Sequence, residues 1–147
     1  MNLTKSIFIS STGTGVGKTY CSVKIIREFI NRGLKFNVYK PILSGFDKFK
    51  IYESDSYKLL DPCLKNINIT DIKAITPWLF HHPLAPSVAA SKENKSLKYE
   101  EVLNWCLAKI NTSNQNTTNI FEGAGGIFVP IEGEKTILDL IIDTKNF

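Results

Sequence analysis

Three groups of residues in this chain have the types and spacing to handle phosphate and metal chemistry. The first is Gly13-Thr14-Gly15-Val16-Gly17-Lys18-Thr19. Small residues let consecutive backbone N–H groups turn inward around an anion, the lysine reaches its outer oxygens, and the threonine hydroxyl can ligate Mg²⁺. A strict G-x-x-x-x-G-K-[ST] loop would carry glycine at Thr12, so the pattern is imperfect, and a glycine-rich turn with a solvent-facing lysine is the plainer alternative. The second group is the pair of acids Asp55 and Glu122. Magnesium held with a nucleotide takes one or two carboxylates besides the loop threonine and phosphate oxygens. Either acid alone reads equally well as a solvated carboxylate, Asp55 at a helix N-terminus and Glu122 at a strand end. The third is Lys40-Pro41-Ile42-Leu43-Ser44-Gly45, where a lysine at a strand's carboxyl end is followed by a turn. A second cation there could stabilise charge that develops on transferring phosphoryl oxygens, although an ordinary strand-end lysine has the same sequence signature.

Other candidates are weaker. His81-His82 are adjacent on a loop, point apart and have no third ligand at a useful spacing, so loop packing or exposure is expected. Cys21, Cys63 and Cys106 form no C-x-x-C pair and have no histidine partner nearby, which leaves them as small buried hydrophobes in a reducing compartment.

Positioning these groups requires alternating strands and helices. Residues 5–10 read as a short buried strand, and the glycine-rich stretch after it cannot continue one. A helix should begin near Lys18, with Val23, Ile26, Phe29 and Ile30 inward and Gly33 at its C-terminal cap. Residues 36–40 read as a second strand closed by Pro41, giving a strand–helix–strand unit of right-handed crossover length. Ser54 to Leu60 suits a short helix. Residues 75–80 read as extended and interrupted by Pro77, and residues 81–86 as a loop. Another helix is expected to begin at Ser87, and Ser96 to cap a longer one that turns Val102, Leu103, Cys106, Leu107 and Ile110 inward. Residues 111–119 read as a polar connection, residues 120–122 as a strand entering the turn Gly123-Ala124-Gly125-Gly126, and Thr136 with Asp139 as a capping box. Such alternation argues for an α/β sheet, mostly parallel, whose ligands bind at the carboxyl ends of the strands.

Composition sets the boundaries. At 147 residues the chain suits one domain, here residues 1–147 taken together, by the soft prior of ~100–200 residues per domain. With 43% hydrophobic and 22% charged residues it is neither disordered nor collagenous. The net charge of +4 comes with only two arginines, Arg27 and Arg32, and scattered lysines, so nucleic acid is not expected as a partner and a positive cleft for a small anion is. No apolar stretch approaches the ~18 residues needed to span a bilayer, and the N-terminus lacks a secretory leader, so a cytoplasmic protein without membrane partners is expected.

Taken together, Thr14-Gly15-Val16-Gly17-Lys18-Thr19, Tyr39-Lys40-Pro41-Ile42-Leu43-Ser44-Gly45, Ser54-Asp55 and Glu122-Gly123-Ala124-Gly125-Gly126 resemble the dethiobiotin synthetase family. The resemblance implies a P-loop NTPase-like three-layer α/β fold, with a mostly parallel central sheet flanked by helices. It also implies an ATP-dependent cyclo-ligase of biotin biosynthesis, which turns 7,8-diaminononanoate and CO₂ or bicarbonate into the ureido ring of dethiobiotin through a phosphorylated carbamate. By the same resemblance Gly15, Val16, Gly17, Lys18, Thr19 and Tyr20 would hold ATP, and Gly123, Ala124 and Gly125 would line the nucleotide cleft with their backbones. Thr19, Asp55 and Glu122 would surround Mg²⁺, Lys18 and Lys40 would be catalytic, and Ser44 would contact the diamine. A homodimer is implied. Related P-loop amidoligases and ParA-like regulatory ATPases share the first motif and form the alternative. The family loop commonly has glycine where Ser11 stands and an acidic residue at Gly13. Members normally continue beyond the last helix with further strands and an adenine-recognising segment. The chain is therefore expected to be C-terminally short, and an inactive truncated fragment stays open.

Overall fold

A computed structural model describes residues 5–145; residues 1–4 and 146–147, on which the reading of the leader and of the chain's end falls, lie outside the described residues. Strand β1 (Ser6–Ile9) leads through the glycine-rich loop into helix α1 (Lys18–Asn31), then β2 (Phe36–Tyr39) and the two-residue β3 (Ile42–Leu43). After a 3₁₀ turn come α2 (Asp55–Leu60), α3 (Ile69–Ile75), β4 (Trp78–Leu79), α4 (Pro86–Lys92) and α5 (Tyr99–Asn111). The chain ends with β5 (Thr118–Glu122), the hairpin of β6 (Pro130–Glu132) and β7 (Lys135–Thr136), and α6 (Ile137–Lys145).

The central sheet is parallel with strand order β1-β5-β2, so the last of these strands inserts between the first two. The first crossover therefore skips a strand position, and Glu122 ends in the middle of the sheet beside Ile9. Side chains on a strand alternate between faces. Ile120 accordingly packs with Val38, Ile26, Leu59 and Ile72 under α1, α2 and α3, while its neighbour Phe121 packs with Val102, Cys106 and Leu140 under α5 and α6. The result is a helix–sheet–helix sandwich of the P-loop NTPase-like kind, with its apolar cores on the two sheet faces.

Several expectations needed correction. Helix α3 (Ile69–Ile75) forms in a stretch with no expected element and takes in Ile75, the first residue of the segment read as extended; Asn68 and Asp71 form a capping box at its start, and Ile72 and Ile75 are buried. Ser96 does not cap α5. Its N-terminus is at Lys98, and the carboxylate of Glu132, from β6, accepts the Tyr99 N–H at 2.8 Å, so the cap is supplied across the chain rather than locally. Helix α4 begins at Pro86, one residue before the expected start. Strand β5 begins at Thr118, earlier than expected; the buried Asn119 within it accepts hydrogen bonds on Oδ1 from Asn37 and Ser113, while its Nδ2 has no partner among the described residues. Ile30 is exposed, as are Cys21 and Cys63, leaving Cys106 as the buried cysteine. The histidines do pack locally, His81 against the Phe46 carbonyl and His82 against Glu93.

Candidate functional site

The three sequence groups converge where β1, β5 and β2 end. Gly17, at φ 99°, caps α1 in the left-handed region that favours glycine, and no side chain caps this helix. No acidic residue sits in its first turn either, so the helix's N–H groups and positive end are left to an anion. The second glycine turn braces this loop. Gly123 N–H donates to the Ile9 carbonyl and Ile127 N–H to the Ser11 carbonyl, at 2.9 and 2.8 Å. A Cβ at Gly126 would stand 2.7 Å from the Thr12 carbonyl oxygen, so that contact requires glycine.

Lys18 reaches back over its own loop. Its ammonium donates to Ser11 Oγ at 3.0 Å and to the Gly13 carbonyl at 3.1 Å, while Ser11 Oγ itself donates to the same carbonyl. Serine at position 11 thus gives the lysine an acceptor besides the Gly13 carbonyl. Burial lowers the Lys18 pKa and the nearby Lys40 charge lowers it further, against opposing pulls from Glu122 and Asp55.

Glu122 is the hub. It is 1% exposed, and its Oε1 accepts from Thr19 Oγ1 and from Lys40 Nζ, each at 2.8 Å. Its Oε2 accepts from Ser22 Oγ at 2.5 Å. Lys40, 2% exposed, also donates to the Gly123 carbonyl at 3.2 Å and stands 3.8 Å from Asp55 Oδ2. Asp55 occupies the first turn of α2 behind the Ser54 cap and stays partly open to solvent. Lys40, Thr19, Asp55 and Glu122, far apart in sequence, are therefore one cluster.

On the other side of Lys40 lies a cavity of about 410 Å³. Its walls include Asp55, Ser44, Leu84, Val129 and the backbone of Ala124 and Gly125. Ser44 Oγ is buried and has no hydrogen-bond partner among the described residues. Val16 and Tyr20 are exposed and make no hydrogen bond to this cluster; Tyr20 borders a groove that Thr19 lines together with Arg27 and Tyr52.

A hard divalent cation fits the donor set, since the Thr19 hydroxyl and the two carboxylates offer oxygens alone. No cluster of three His, Cys, Asp or Glu exists among the described residues, so such an ion would depend on the threonine and on phosphate oxygens as well. Sequence reasoning missed Ser22, one turn beyond Thr19, and the wall formed by residues 83–86. Two closely spaced prolines ahead of a helix were the available signal for that wall.

A family described as AAA domain matches residues 5–145. The chain belongs to this family. It is also similar to curated proteins named ATP-dependent dethiobiotin synthetase BioD. It is 31% identical over 134 residues to that of Methylobacterium nodulans, covering 89% of this chain and 60% of the relative. It is 35% identical to that of Phenylobacterium zucineum (91% and 57%) and 36% identical to that of Bacillus velezensis (93% and 56%). The chain thus spans somewhat more than half the length of these relatives. Their shared name favours the dethiobiotin synthetase resemblance over the ParA-like alternative. No helix among the described residues is long and apolar enough to cross a membrane.

Proposed function

We propose that the chain serves as an ATP-dependent dethiobiotin synthetase, a cytoplasmic, homodimeric cyclo-ligase acting on 7,8-diaminononanoate and CO₂. The supporting observation is the placement of Lys40, which is buried, bonded to Glu122 and open on its far side to a cavity that also presents Ser44. In this reading one amine of the diamine adds to CO₂ and loses a proton, giving a carbamate. Its oxygen attacks the γ-phosphorus of ATP and ADP departs. The second amine then attacks the carbamoyl carbon, and phosphate leaves as the ring closes.

The residues divide this work by position. Gly15, Val16, Gly17 and the α1 N-terminus cradle phosphates, with Tyr20 following and Gly123, Ala124 and Gly125 offering backbone from the opposite turn. Lys18 exchanges its Ser11 and Gly13 acceptors for the γ-phosphate. Lys40 neutralises the carbamate and its phosphorylated form, and the unpartnered Ser44 hydroxyl receives a polar group of the diamine. Thr19, Asp55 and Glu122 would hold Mg²⁺, which would supply further charge neutralisation. Positioning and charge neutralisation do most of the work in phosphoryl transfer, and two lysines beside two acids provide both.

Calorimetric titration of Mg-ATP with and without the diamine tests this. Affinity should rise about fivefold or more in the diamine's presence, the range of ordinary coupling between adjacent sites. Unchanged affinity, or ATP turnover indifferent to the diamine, would overturn the reading.

A further inference from the structure

We infer that Ser22 is a positioning residue, whose hydroxyl holds Glu122 Oε2 so that Oε1 stays turned toward Thr19 and Lys40; this rests on the proposed role of the Glu122 cluster. Ser22 is fully buried and lies three residues beyond Thr19 on α1, so the two hydroxyls share a helix face. Both reach one carboxylate from that face, Thr19 to Oε1 and Ser22 to Oε2.

The competing role for a mid-helix serine is a bond back to the carbonyl four residues earlier. Here that carbonyl belongs to Lys18 and stands 3.0 Å from Ser22 Oγ, against 2.5 Å to Glu122. A hydroxyl has one proton to donate, and an ionised acceptor makes the shorter and stronger bond. The proton therefore goes to Glu122. Without it, Oε2 would be a buried anionic oxygen lacking a donor, since Thr19 and Lys40 both serve Oε1. Rotation of the carboxylate to share those donors would move Oε1 away from the place where Thr19, Asp55 and Lys40 meet. Groups that orient a ligating carboxylate characteristically change metal affinity 10–100-fold when removed.

The test compares wild type, Ser22→Ala and Ser22→Thr in the full chain. With ¹³C-labelled glutamate, and Glu122→Gln to assign the band, the infrared carboxylate stretch of Glu122 should shift in Ser22→Ala and keep its wild-type position in Ser22→Thr. Mg²⁺ titrated into the ATP complex should bind about 10–100-fold more weakly to Ser22→Ala, and the thermal midpoint of that variant should fall, because a buried anionic oxygen loses its donor. An unmoved Glu122 band in Ser22→Ala overturns the inference and leaves Ser22 as a helix back-bonder. If wild-type ATP binding shows no dependence on Mg²⁺, the cation reading fails separately. The carboxylate band needs no ligand and still decides the role of Ser22.

Discussion

Lys40 separates two regions that satisfy their polar groups differently. Toward β5, Glu122 takes hydrogen bonds from Thr19, Ser22 and Lys40, all supplied by the chain itself. Toward the cavity, Ser44 keeps a buried hydroxyl without a partner among the described residues, beside walls that include Leu84 and Val129 as well as Asp55. A buried charge is tolerated only when paired and hydrogen-bonded, so the first region must be complete in the folded chain. A buried hydroxyl left unpaired is a smaller cost and gives an incoming ligand something to bond. The first region holds its charges in place with partners from the chain itself, whereas the second leaves a hydroxyl and an open cavity, which suits the proposed substrate.

The most severe way to break this contrast is Lys40→Ala. It removes the cation from a carboxylate that is 1% exposed, and breaking one side of a buried ion pair costs about 3–5 kcal/mol. Denaturant unfolding should show that loss, and dethiobiotin formation should vanish. A Lys40→Ala chain with wild-type stability would mean that Glu122 does not depend on Lys40 for its charge.

The charge-holding region was the more legible of the two in sequence. Glycine, lysine and threonine at fixed spacing announce a phosphate cradle because few other backbones need them, and Lys40 and Glu122 stand next to turns that mark strand ends. What sequence could not show was the insertion of β5 between β1 and β2, which brings Glu122 to Thr19 and Ser22. Strand order is a long-range property, invisible to local periodicity. The cavity wall was harder still. Residues 83–86 read as a loop by their prolines, and only packing aims Leu84 at Ser44's side of the cavity. The α5 cap failed for the same reason, since Glu132 reaches Tyr99 from 33 residues away. The Asn68–Asp71 capping box of α3, by contrast, was a local signal that had been readable all along.

A milder variant acts on the cavity alone. Ser44→Ala deletes a hydroxyl with no internal partner, so stability should be unchanged or slightly raised. Losing its bond to an amine or carbamate should raise KM for the diamine by about tenfold while ATP affinity stays put. Measuring the two affinities side by side tests the division between regions. If Ser44→Ala destabilised the chain by as much as Lys40→Ala, the hydroxyl would have an internal role and the contrast would collapse.

The smallest effect concerns how the cavity wall is held. His82 precedes the wall residues, its carbonyl accepts from Gly45 and Leu84, and its amide donates to Glu93 Oε1 at 3.0 Å. Burial acts to raise the Glu93 pKa, but hydrogen bonds from Lys95, from His82 and from the His81 backbone outweigh it and hold the carboxyl at about 2. A carboxylate whose pKa is depressed on folding contributes stability above its unfolded value, near 4.5, and loses that contribution as pH falls toward 2. The wall should thus loosen between about pH 4.5 and pH 2, whereas at neutral pH it is fully tied. The His82 amide resonance, followed by NMR through that window, should titrate with a midpoint near 2. In Glu93→Gln, which keeps an acceptor but carries no charge, the same resonance should lose this step. A wild-type midpoint near 4.5 would show that Glu93 is not engaged, and that the wall of the cavity is held by the backbone bonds of His82 alone.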